Sequence, residues 1–340
     1  MPTIEIVADE LGVSFQQSGK DTVLRAALRA GIGFPYECNS GGCGSCKFDL
    51  LEGDVEQIWP EAPGLTERDR RKGRLLACQC RARTDLRIKI RPGSEYQSKI
   101  QPQRQPACFI GQEAITHDIR EFRFAADRPA RFQAGQYAIL DIPGVSSPRA
   151  YSMSNLPNEE GEWHFQVRRV PEGQATSRLF HHLREGDEIE IDGPYGLAAL
   201  REDNGRDIVC VAGGSGLAPM VSIARGASTK GLLTKRHLHF FYGGRTPRDI
   251  CGETFLKVLP EYGVKIHYYP VVSLPEQDLG IDWKGETGFV HDVVRKVLGE
   301  SMPDFEFYFA GPPPMTQTLQ EMLMVGYRVP FEQVHFDRFF

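Results

Sequence analysis

Residues 34–46 read Phe-Pro-Tyr-Glu-Cys-Asn-Ser-Gly-Gly-Cys-Gly-Ser-Cys and carry three cysteines, Cys38, Cys43 and Cys46, on one short segment. Cys78 follows further along the chain. The spacing C-x4-C-x2-C with a distant fourth cysteine is typical of plant-type [2Fe–2S] domains, in which four thiolates hold one cluster. The residue types and their spacing therefore predict an iron–sulfur cluster in the first part of the chain.

Glycines in the same segment indicate how the chain could wrap around a cluster. Three thiolates converge from a single loop only if that loop curls tightly, which requires positive φ angles and close backbone approach. We expect Gly41, Gly42 and Gly44 to provide both, with amides that donate hydrogen bonds to the sulfurs. A helix predicted over residues 21–30 would pack beneath the loop.

The sequence leaves alternatives to this assignment open. A zinc site usually combines two short C-x2-C units, whereas only Cys43 and Cys46 have that spacing here. Cys80 lies two residues after Cys78, and on a strand both side chains would face the same side, so Cys80 is a rival fourth ligand. A Rieske centre needs two histidines, and the sequence contains no Cys-x-His.

The composition is that of a globular protein with several domains. The chain has 340 residues, a hydrophobic share of 41% and a formal net charge of -5. The acidic balance argues against nucleic acid as a partner, since binding phosphates needs a surplus of Lys and Arg. The N-terminus lacks the features of a secretory signal, and no apolar run approaches the ~18 residues of a membrane span. We expect a soluble, cytoplasmic monomer that does not bind membranes.

Differences in sequence texture predict three domains. Residues 1–96 contain the cysteine cluster, and residues 97–106 are polar, carry two prolines and predict a linker. Over residues 107–203, short runs alternate apolar and polar residues between turn signals, as in an antiparallel β-domain. Over residues 204–340, apolar runs alternate with helix-like stretches, which predicts an α/β domain with a parallel sheet.

Two short motifs in the middle segment have the chemistry of a flavin site. Arg149-Ala-Tyr151-Ser152 combines a guanidinium for a pyrophosphate, a ring to pack on a flavin and a hydroxyl near its reactive nitrogen. Gly173 and Thr176 open a helix-like stretch, and a helix N-terminus attracts phosphate. Either motif alone is more typical of a basic strand end or a helix cap. Together, inside a β-domain, they predict a flavin.

The last segment carries glycines at three predicted strand ends. Residues 209–219 form an apolar strand, a Gly-Gly-Ser-Gly loop and a helix start, although they do not match the G-x-G-x-x-G fingerprint. The other strand ends are residues 242–245 and 310–315. Because ligands of open α/β sheets bind at the carboxyl ends of strands, these glycines predict a dinucleotide site. Its candidate residues are Gly213, Gly214, Ser215, Gly216, Pro219, Arg245 and Pro312.

Taken together, these motifs resemble a known family. Arg-x-Tyr-Ser, Gly-Gly-Ser-Gly-x-Ala-Pro and Gly-Pro-Pro-x-Met are similar to motifs of the ferredoxin–NADP⁺ reductase superfamily. A plant-type ferredoxin ahead of them resembles the reductase components of bacterial multicomponent oxygenases. Residues 34–46 and 335–340 are most similar to toluene 4-monooxygenase-type reductases, which serve diiron aromatic hydroxylases. The resemblance implies a β-grasp [2Fe–2S] domain, an FAD-binding antiparallel β-barrel and a C-terminal NAD-binding α/β domain.

The resemblance also implies roles for individual residues. It favours Cys78 over Cys80 as the fourth ligand, and it puts Phe336 near the flavin. Many relatives have a cysteine where this chain has Ala310, so a thiol is not part of hydride transfer here. The implied cluster ligands are Cys38, Cys43, Cys46 and Cys78; the implied FAD residues are Arg149, Tyr151, Ser152, Gly173 and Thr176; and the residues expected to act at the reacting flavin are Ser152 and Phe336.

The implied function is that of an NADH-dependent reductase. A hydride from NADH would reach FAD, and single electrons would pass through the cluster to a Rieske-type ferredoxin or a diiron hydroxylase of a monooxygenase system. The alternative is the reductase of a Rieske ring-hydroxylating dioxygenase, which has the same domain order. Use of NADPH stays open, since Arg245 and Arg248 follow a strand end where a 2′-phosphate could bind. A redox-sensing binding protein is the candidate from another class.

The electron acceptor is expected to dock near the cluster loop, residues 38–46. Nearby acidic residues predict an acidic docking face, and a merely solvated surface is the plainer alternative. These residues are Glu37, Asp49, Glu52, Asp54 and Glu56.

Overall fold

The structure, a computed structural model, describes residues 2–8, 11–278 and 280–339. Met1 and Phe340, the ends of the predicted first and last domains, lie outside the described residues. The chain divides into two compact units. Their bounds are Met1–Gln103 with Gly193–Leu197, and Arg104–Asp192 with Ala198–Phe340.

The first unit contains a mixed five-stranded sheet and one main helix. Its elements are β1 (Thr3–Ala8), β2 (Leu11–Gln16), α1 (Val23–Arg29), β3 (Lys47–Glu52), β4 (Val55–Gln57), α2 (Glu67–Arg71), β5 (Arg74–Leu76), β6 (Cys80–Ala82) and β7 (Leu86–Lys89). The strand order is β2-β1-β7-β3-β5, with β1 parallel to β7 and the other neighbours antiparallel. Strands β4 and β6 form a separate pair. This is the β-grasp arrangement that the sequence predicts.

Helix α1 lies within the predicted range 21–30 and immediately precedes the cysteine segment. Thr22 begins it, because its hydroxyl accepts a hydrogen bond from the Arg25 amide and so satisfies one of the first-turn donors. The apolar side chains Val23, Leu24 and Leu28 are buried. Their burial supplies most of the stability of such a short helix, which propensity alone would not sustain.

Residues 103–195 form a six-stranded sheet that closes on itself. Its elements are β8 (Gln103–Ala114), β9 (Ile119–Ala125), β10 (Tyr137–Asp141), β11 (Arg149–Ser152), β12 (Glu162–Arg168), α3 (Gln174–His181) and β13 (Glu188–Tyr195). The order is β11-β10-β13-β8-β9-β12, and a bridge between Met153 and Phe165 joins the two outer strands. An aromatic core of Phe122, Phe124 and Trp163 fills the resulting barrel.

The rest of the second unit is a parallel six-stranded sheet with helices on both faces. Its elements are β14 (Asp207–Gly213), α4 (Leu217–Thr229), β15 (Leu238–Gly244), α5 (Glu253–Lys257), β16 (Ile266–Val272), β17 (Glu286–Thr287), α6 (Val290–Leu298), β18 (Phe305–Gly311), α7 (Pro313–Glu321) and β19 (Val334–Arg338). The order is β17-β16-β15-β14-β18-β19. One face packs on α4 and α5, and the other packs on α6 and α7.

The barrel and the parallel sheet are joined by direct contacts. Ser222 and Arg225 of α4 donate hydrogen bonds to the backbone oxygens of residues 155 and 154 at 2.8 and 2.9 Å. Ala134 and Leu200 are buried in the same apolar cluster as α4. These contacts explain why both layers belong to a single compact unit.

Strand β8 begins inside the range 97–106, which the sequence predicts as a linker. Alternate residues of the strand, Gln105 and Ala107, are buried, whereas the intervening side chains are not. This alternation extends the strand through a polar stretch. Among the described residues, every helix is too short or too polar to cross a membrane.

Candidate functional site

The cysteine loop has the tight backbone that the glycines predict, with one difference. Gly41 and Gly44 have φ angles of 91° and 77°, but the third residue of the loop with a positive φ is Asn39, at 51°, rather than Gly42. A Cβ at Gly44 would overlap the carbonyl oxygen of Gly64. Only glycine fits there, because the loop and the segment that follows β4 approach at backbone distance.

The four predicted cluster ligands are brought together as two pairs of thiols. A hydrogen bond with the Cys43 thiol lowers the pKa of Cys38 to about 5, and the same bond raises the pKa of Cys43. A hydrogen bond with the Cys78 thiol, together with burial, raises the pKa of Cys46. Four grouped thiols, three from the loop and one from Cys78, form the donor set that a [2Fe–2S] cluster requires.

Backbone amides of the loop also point at the sulfurs. The amides of Ser40 and Cys43 donate to Cys38 Sγ at 3.5 and 3.4 Å, and the amide of Ser45 donates to Cys43 Sγ at 3.4 Å. The donors are therefore not the glycines that the sequence singles out. Such bonds stabilise thiolates, so the loop fits a metal cluster.

Cys78 and Cys80 differ in their surroundings, although both are buried. The amide of Ala77 donates to the Cys46 carbonyl oxygen at 2.9 Å, which holds Cys78 beside the loop. Cys80 lies on β6 opposite Gln57, and burial raises its pKa to about 12. The geometry therefore groups Cys78 with the loop cysteines.

The predicted flavin residues Arg149, Tyr151 and Ser152 form strand β11. Register pairs Tyr151 with Ala138 and Ser152 with Tyr137. Because side chains alternate along a strand, Arg149 and Tyr151 share one face and Ser152 lies on the other. Ser152 is buried, and burial raises the pKa of Tyr151 to about 12. Arg149 Nη1 donates to the Ser147 carbonyl oxygen at 2.7 Å, which fixes its guanidinium near the strand start.

The second flavin motif begins α3. Gly173 is the residue before the first helical turn, and the Thr176 hydroxyl donates to the Val170 carbonyl oxygen at 3.1 Å, so it braces this turn. A cavity of about 650 Å³ opens beside the helix start. It is lined by Gly144, Val145, Ser146, Glu172, Gln174, Ser177, Arg178 and His182.

Arg178 is a residue of this cavity that the motif search missed. Its Nε is buried, and no hydrogen-bond partner for it occurs in the described part of the chain. An unpaired buried donor is costly, so this nitrogen fits an anionic ligand group. Together with the helix start, it suits the phosphates of a dinucleotide.

The predicted dinucleotide loop connects β14 to α4. A Cβ at Gly216 would overlap the Ala310 carbonyl oxygen, and a Cβ at Gly213 would lie 2.8 Å from Met315 Sδ. The loop therefore lies directly against the ends of β18 and α7. Pro219 is buried in the first turn of α4, as the sequence predicts.

A cavity of about 610 Å³ lies at the carboxyl ends of β14, β15, β16 and β18. Of the predicted residues, Gly213, Gly214, Arg245 and Pro312 line it, whereas Ser215, Gly216 and Pro219 do not. The remaining lining residues are Asp118, Ile119, Arg168, Tyr242, Gly243, Gly244, Asp249, Ser273, Gly288, Phe289, Val290, His291, Pro314, Met315 and Thr318.

Arg168 reaches this cavity from the barrel, and sequence reasoning missed it. It ends β12, and its Nε lies 2.6 Å from Asp118 Oδ2. Burial alone would raise the pKa of Asp118, but the Arg168 guanidinium holds it below its usual value. Arg168 Nη1 lies 3.5 Å from where a Cβ of Gly214 would be, so a cation stands over the glycine loop.

Phe289 is a second missed residue. It precedes α6, stacks on His291 with ring centroids 5.5 Å apart, and is 63% exposed although it lines the cavity. An exposed ring at the mouth of this cavity suits a nucleobase, which binds by stacking.

The placement of Phe336 near the flavin stays a prediction. On β19 Phe336 stacks on Phe309 at 5.2 Å, within the apolar cluster that faces α6 and α7. The C-terminal aromatic on the other face is Phe339, which packs against the cluster containing Ala134 and Leu200 of the barrel.

Three domain families match the chain in the order of these sites. Residues 6–83 match the 2Fe-2S iron-sulfur cluster binding domain. Residues 107–199 match the oxidoreductase FAD-binding domain, and residues 210–321 match the oxidoreductase NAD-binding domain. Each family match agrees with the chemical groups that the structure places at the corresponding site.

Relatives resemble the chain over nearly its whole length. A ferredoxin–NAD(P)(+) reductase of Metapseudomonas resinovorans is 44% identical over 95% of both chains. The ferredoxin–NAD(+) reductase component of an alkene monooxygenase system of Xanthobacter autotrophicus is 40% identical over 96% of this chain and 98% of its own. Among solved structures, the ferredoxin reductase in carbazole 1,9a-dioxygenase has a TM-score of 0.90 at 38% identity, covering 100% of this chain and 98% of its own.

Proposed function

The chain belongs to the family of iron–sulfur flavoprotein ferredoxin–NAD(P)⁺ reductases, and from this premise we propose that it is the reductase component of a hydrocarbon monooxygenase system. It is an oxidoreductase with [2Fe–2S]-, FAD- and NAD-binding domains. The observation that carries the proposal is that one chain has four grouped thiols and two cavities, one at the start of α3 and one at the glycine loop after β14. That chain matches an alkene monooxygenase reductase along its length.

Bound FAD would supply the chemistry that joins NADH, a two-electron donor, to the cluster, a one-electron carrier. The residues of the chain bind and orient. We assign Arg178 and the start of α3, which line one cavity, to the flavin phosphates, together with Arg149 at the start of β11. We assign Gly214 and Arg168, which line the other cavity, to the dinucleotide phosphates. Ser152 is assigned a hydrogen bond near the reacting flavin nitrogen.

We propose NADH as the donor rather than NADPH, although Arg245 lines the cavity. Asp249 lines it as well, and its Oδ2 accepts hydrogen bonds from the amides of Arg245 and Thr246 at 3.1 and 2.8 Å. A carboxylate fixed at a strand end favours a ribose hydroxyl and opposes a 2′-phosphate.

A specific observation also favours a second candidate function. The ferredoxin reductase in carbazole 1,9a-dioxygenase shares this fold across both chains. A reductase of a Rieske ring-hydroxylating dioxygenase would use the same cofactor sites. Only the acceptor separates the two functions, so the acceptor is the variable in the test below.

The proposed docking surface for the acceptor is apolar rather than acidic. Three of the five acids predicted to form an acidic face are paired with arginines, Asp49 with Arg74, Glu52 with Arg87 and Glu56 with Arg83, at 3.4, 2.5 and 3.7 Å. These pairs offset part of the negative charge at their positions, while Arg74 and Arg87 are each shared with a second carboxylate, that of Asp69 and that of Glu5.

Beside the cluster loop, Ile58 and Trp59 are 38% and 46% exposed. The Trp59 ring lies 3.2 Å from where a Cβ of Gly41 would be, so it covers the loop itself. We name Ile58, Trp59 and Pro60 the tryptophan patch and propose that the acceptor protein contacts it.

The test compares two acceptors in the full chain loaded with FAD and cluster. Ferricyanide takes electrons directly from reduced flavin, whereas a purified [2Fe–2S] ferredoxin depends on the cluster. We expect Cys78→Ser to abolish ferredoxin reduction by NADH and to leave ferricyanide reduction nearly unchanged. The matched variant Cys80→Ser should retain both activities.

Absence of NADH-dependent ferricyanide reduction in loaded wild-type protein would refute the proposed function. Coupling to a diiron hydroxylase or its ferredoxin, measured as product formed per NADH, supports the monooxygenase role. Coupling only to a Rieske dioxygenase would replace that role with the alternative.

A further inference from the structure

Asp69 forms a buried junction close to the cysteine loop. It lies on α2, is 5% exposed, and its carboxylate contacts groups from three elements. Oδ2 accepts from the Thr66 hydroxyl at 2.7 Å and lies 2.7 Å from Lys47 Nζ. Oδ1 accepts from Arg74 Nη1 at 3.2 Å.

The two cationic residues held by this carboxylate each begin a strand next to a cluster ligand: one strand follows a ligand, and the other leads to one. Lys47 follows Cys46 directly and is the first residue of β3. It pairs with Leu76 of β5, the strand that leads to Cys78. One buried carboxylate therefore links the strand after one ligand to the strand before another.

The side chain of Lys47 runs along the cluster loop. Its Cε lies 3.1 Å from where a Cβ of Gly44 would be, and Gly44 stands between Cys43 and Cys46. The ammonium is one bond further, held by Asp69. A long lysine side chain is thus fixed in one conformation instead of moving freely in solvent.

The positive and negative charges around Asp69 balance, so removing one of them leaves a net charge whose effect can be measured. Lys47 is paired with Asp69, and Arg74 is shared between Asp69 and Asp49, at 3.2 and 3.4 Å. Lys47, Thr66 and Arg74 hold the pKa of Asp69 well below its usual value, so it is ionised at neutral pH. Removing either charged partner changes the net charge beside the loop by one unit, in opposite directions.

We propose that Lys47 tunes the reduction potential of the cluster electrostatically, and that Asp69 is the positioning residue that holds its ammonium at the loop. The inference rests on the proposed function, because it assumes that the four thiols hold the cluster. Reduction adds one electron from the reduced flavin to the cluster without forming or breaking a bond. A nearby cation favours the reduced state, and the surrounding charge is one of the factors that set such potentials.

The experiment measures the midpoint potential of the cluster by spectroelectrochemical titration of the full chain. Lys47→Met should shift the potential to more negative values, and Asp69→Asn should shift it to more positive values. The double variant should return towards the wild-type potential, and Lys47→Arg should stay close to it. If the bridge between Lys47 and Asp69 were purely structural, Lys47→Met and Asp69→Asn would break it equally. There would then be no reason for the two variants to shift the potential in opposite directions.

Arg87→Gln is the matched control. Arg87 pairs with Glu52 at the other end of β3, roughly 16 Å from Lys47 at ~3.3 Å per residue, which exceeds the screening length of ~8–10 Å. The midpoint potential of the cluster in Arg87→Gln should equal that of the wild type.

Shifts of the same sign, or no shift relative to Arg87→Gln, would overturn the proposal. So would failure of both neutral variants to assemble a cluster, since the bridge would then be structural only. If one of them assembles a cluster, the sign of its shift decides. Wild-type protein that takes up no cluster would refute the proposed function instead.

Discussion

Arg168 is the clearest case of a single side chain that serves two parts of the molecule. It ends β12, an outer strand of the barrel, yet its guanidinium lies over the glycine loop that follows β14 and is held by Asp118 at 2.6 Å. A hydrogen bond to a charged group is worth ~1.5–3 kcal/mol. We therefore expect Arg168→Ala to lower kcat/KM for NADH by about 10- to 100-fold, mainly through KM.

Steady-state kinetics with ferricyanide as acceptor would measure this change. Arg169→Ala is the matched control, because Arg169 is the next residue and is exposed. It should leave the kinetics nearly unaltered. Equal KM values for Arg168→Ala and wild type would show that the guanidinium does not bind the dinucleotide.

Strands and loops show where sequence patterns suffice and where they do not. The Arg149–Ser152 strand and the Gly213–Gly216 loop follow from local signals, since alternation and glycine content act within a few residues. The packing of Phe336 does not follow from such signals. A parallel sheet is buried on both faces, so alternation does not tell which face of β19 meets α6 and α7. Arg168 was missed for a related reason, because its partner loop is distant in sequence.

The loop after β4 makes an element-scale prediction through the tryptophan patch. Its backbone is fixed, because the Ile58 amide donates to the Gln79 carbonyl oxygen at 2.8 Å and the Gly64 amide donates to the Gly41 carbonyl oxygen at 2.9 Å. Rigid exposed tryptophans often dominate binding, with losses of at least ~2 kcal/mol on truncation. We expect Trp59→Ala to raise the KM for the protein acceptor roughly 30-fold, while ferricyanide reduction stays unchanged.

Leu51→Ala provides the control, since Leu51 is 47% exposed near the far end of β3. Raising the salt concentration should have little effect on the wild-type KM for the acceptor, because the proposed contact is apolar and three of the five nearby acids are paired with arginines. A steep dependence on salt with no effect of Trp59→Ala would restore the acidic docking face.

The whole molecule has two compact units, whereas the sequence predicts three segments of different texture. The middle and last segments differ in pattern because one is antiparallel and the other parallel. Their union depends on contacts such as those of Ser222 and Arg225 with the backbone of residues 154–155. No local pattern reports a contact of this kind.

Two units predict two thermal transitions. Scanning calorimetry of the loaded full chain should resolve these two transitions. The Cys78→Ser substitution should lower the temperature of only one of them, because metal binding stabilises the unit that holds the metal. Excess FAD should raise the temperature of only the other transition. A single transition that moves as a whole in both experiments would contradict the division.

The cysteines of the second unit have a consequence for oxidative damage. Cys210 is fully buried with a raised pKa, burial raises the pKa of Cys251 to about 12, and Cys108 is exposed on β8 but lines neither cofactor cavity. Thiolates are the species that peroxides attack, so the cavity that we assign to the dinucleotide offers them little. The sulfur-rich loop of the first unit is the vulnerable part. Peroxide would therefore damage the cysteine loop first and stop electron transfer to the acceptor. The damaged protein would still oxidise NADH but would no longer deliver electrons to the acceptor.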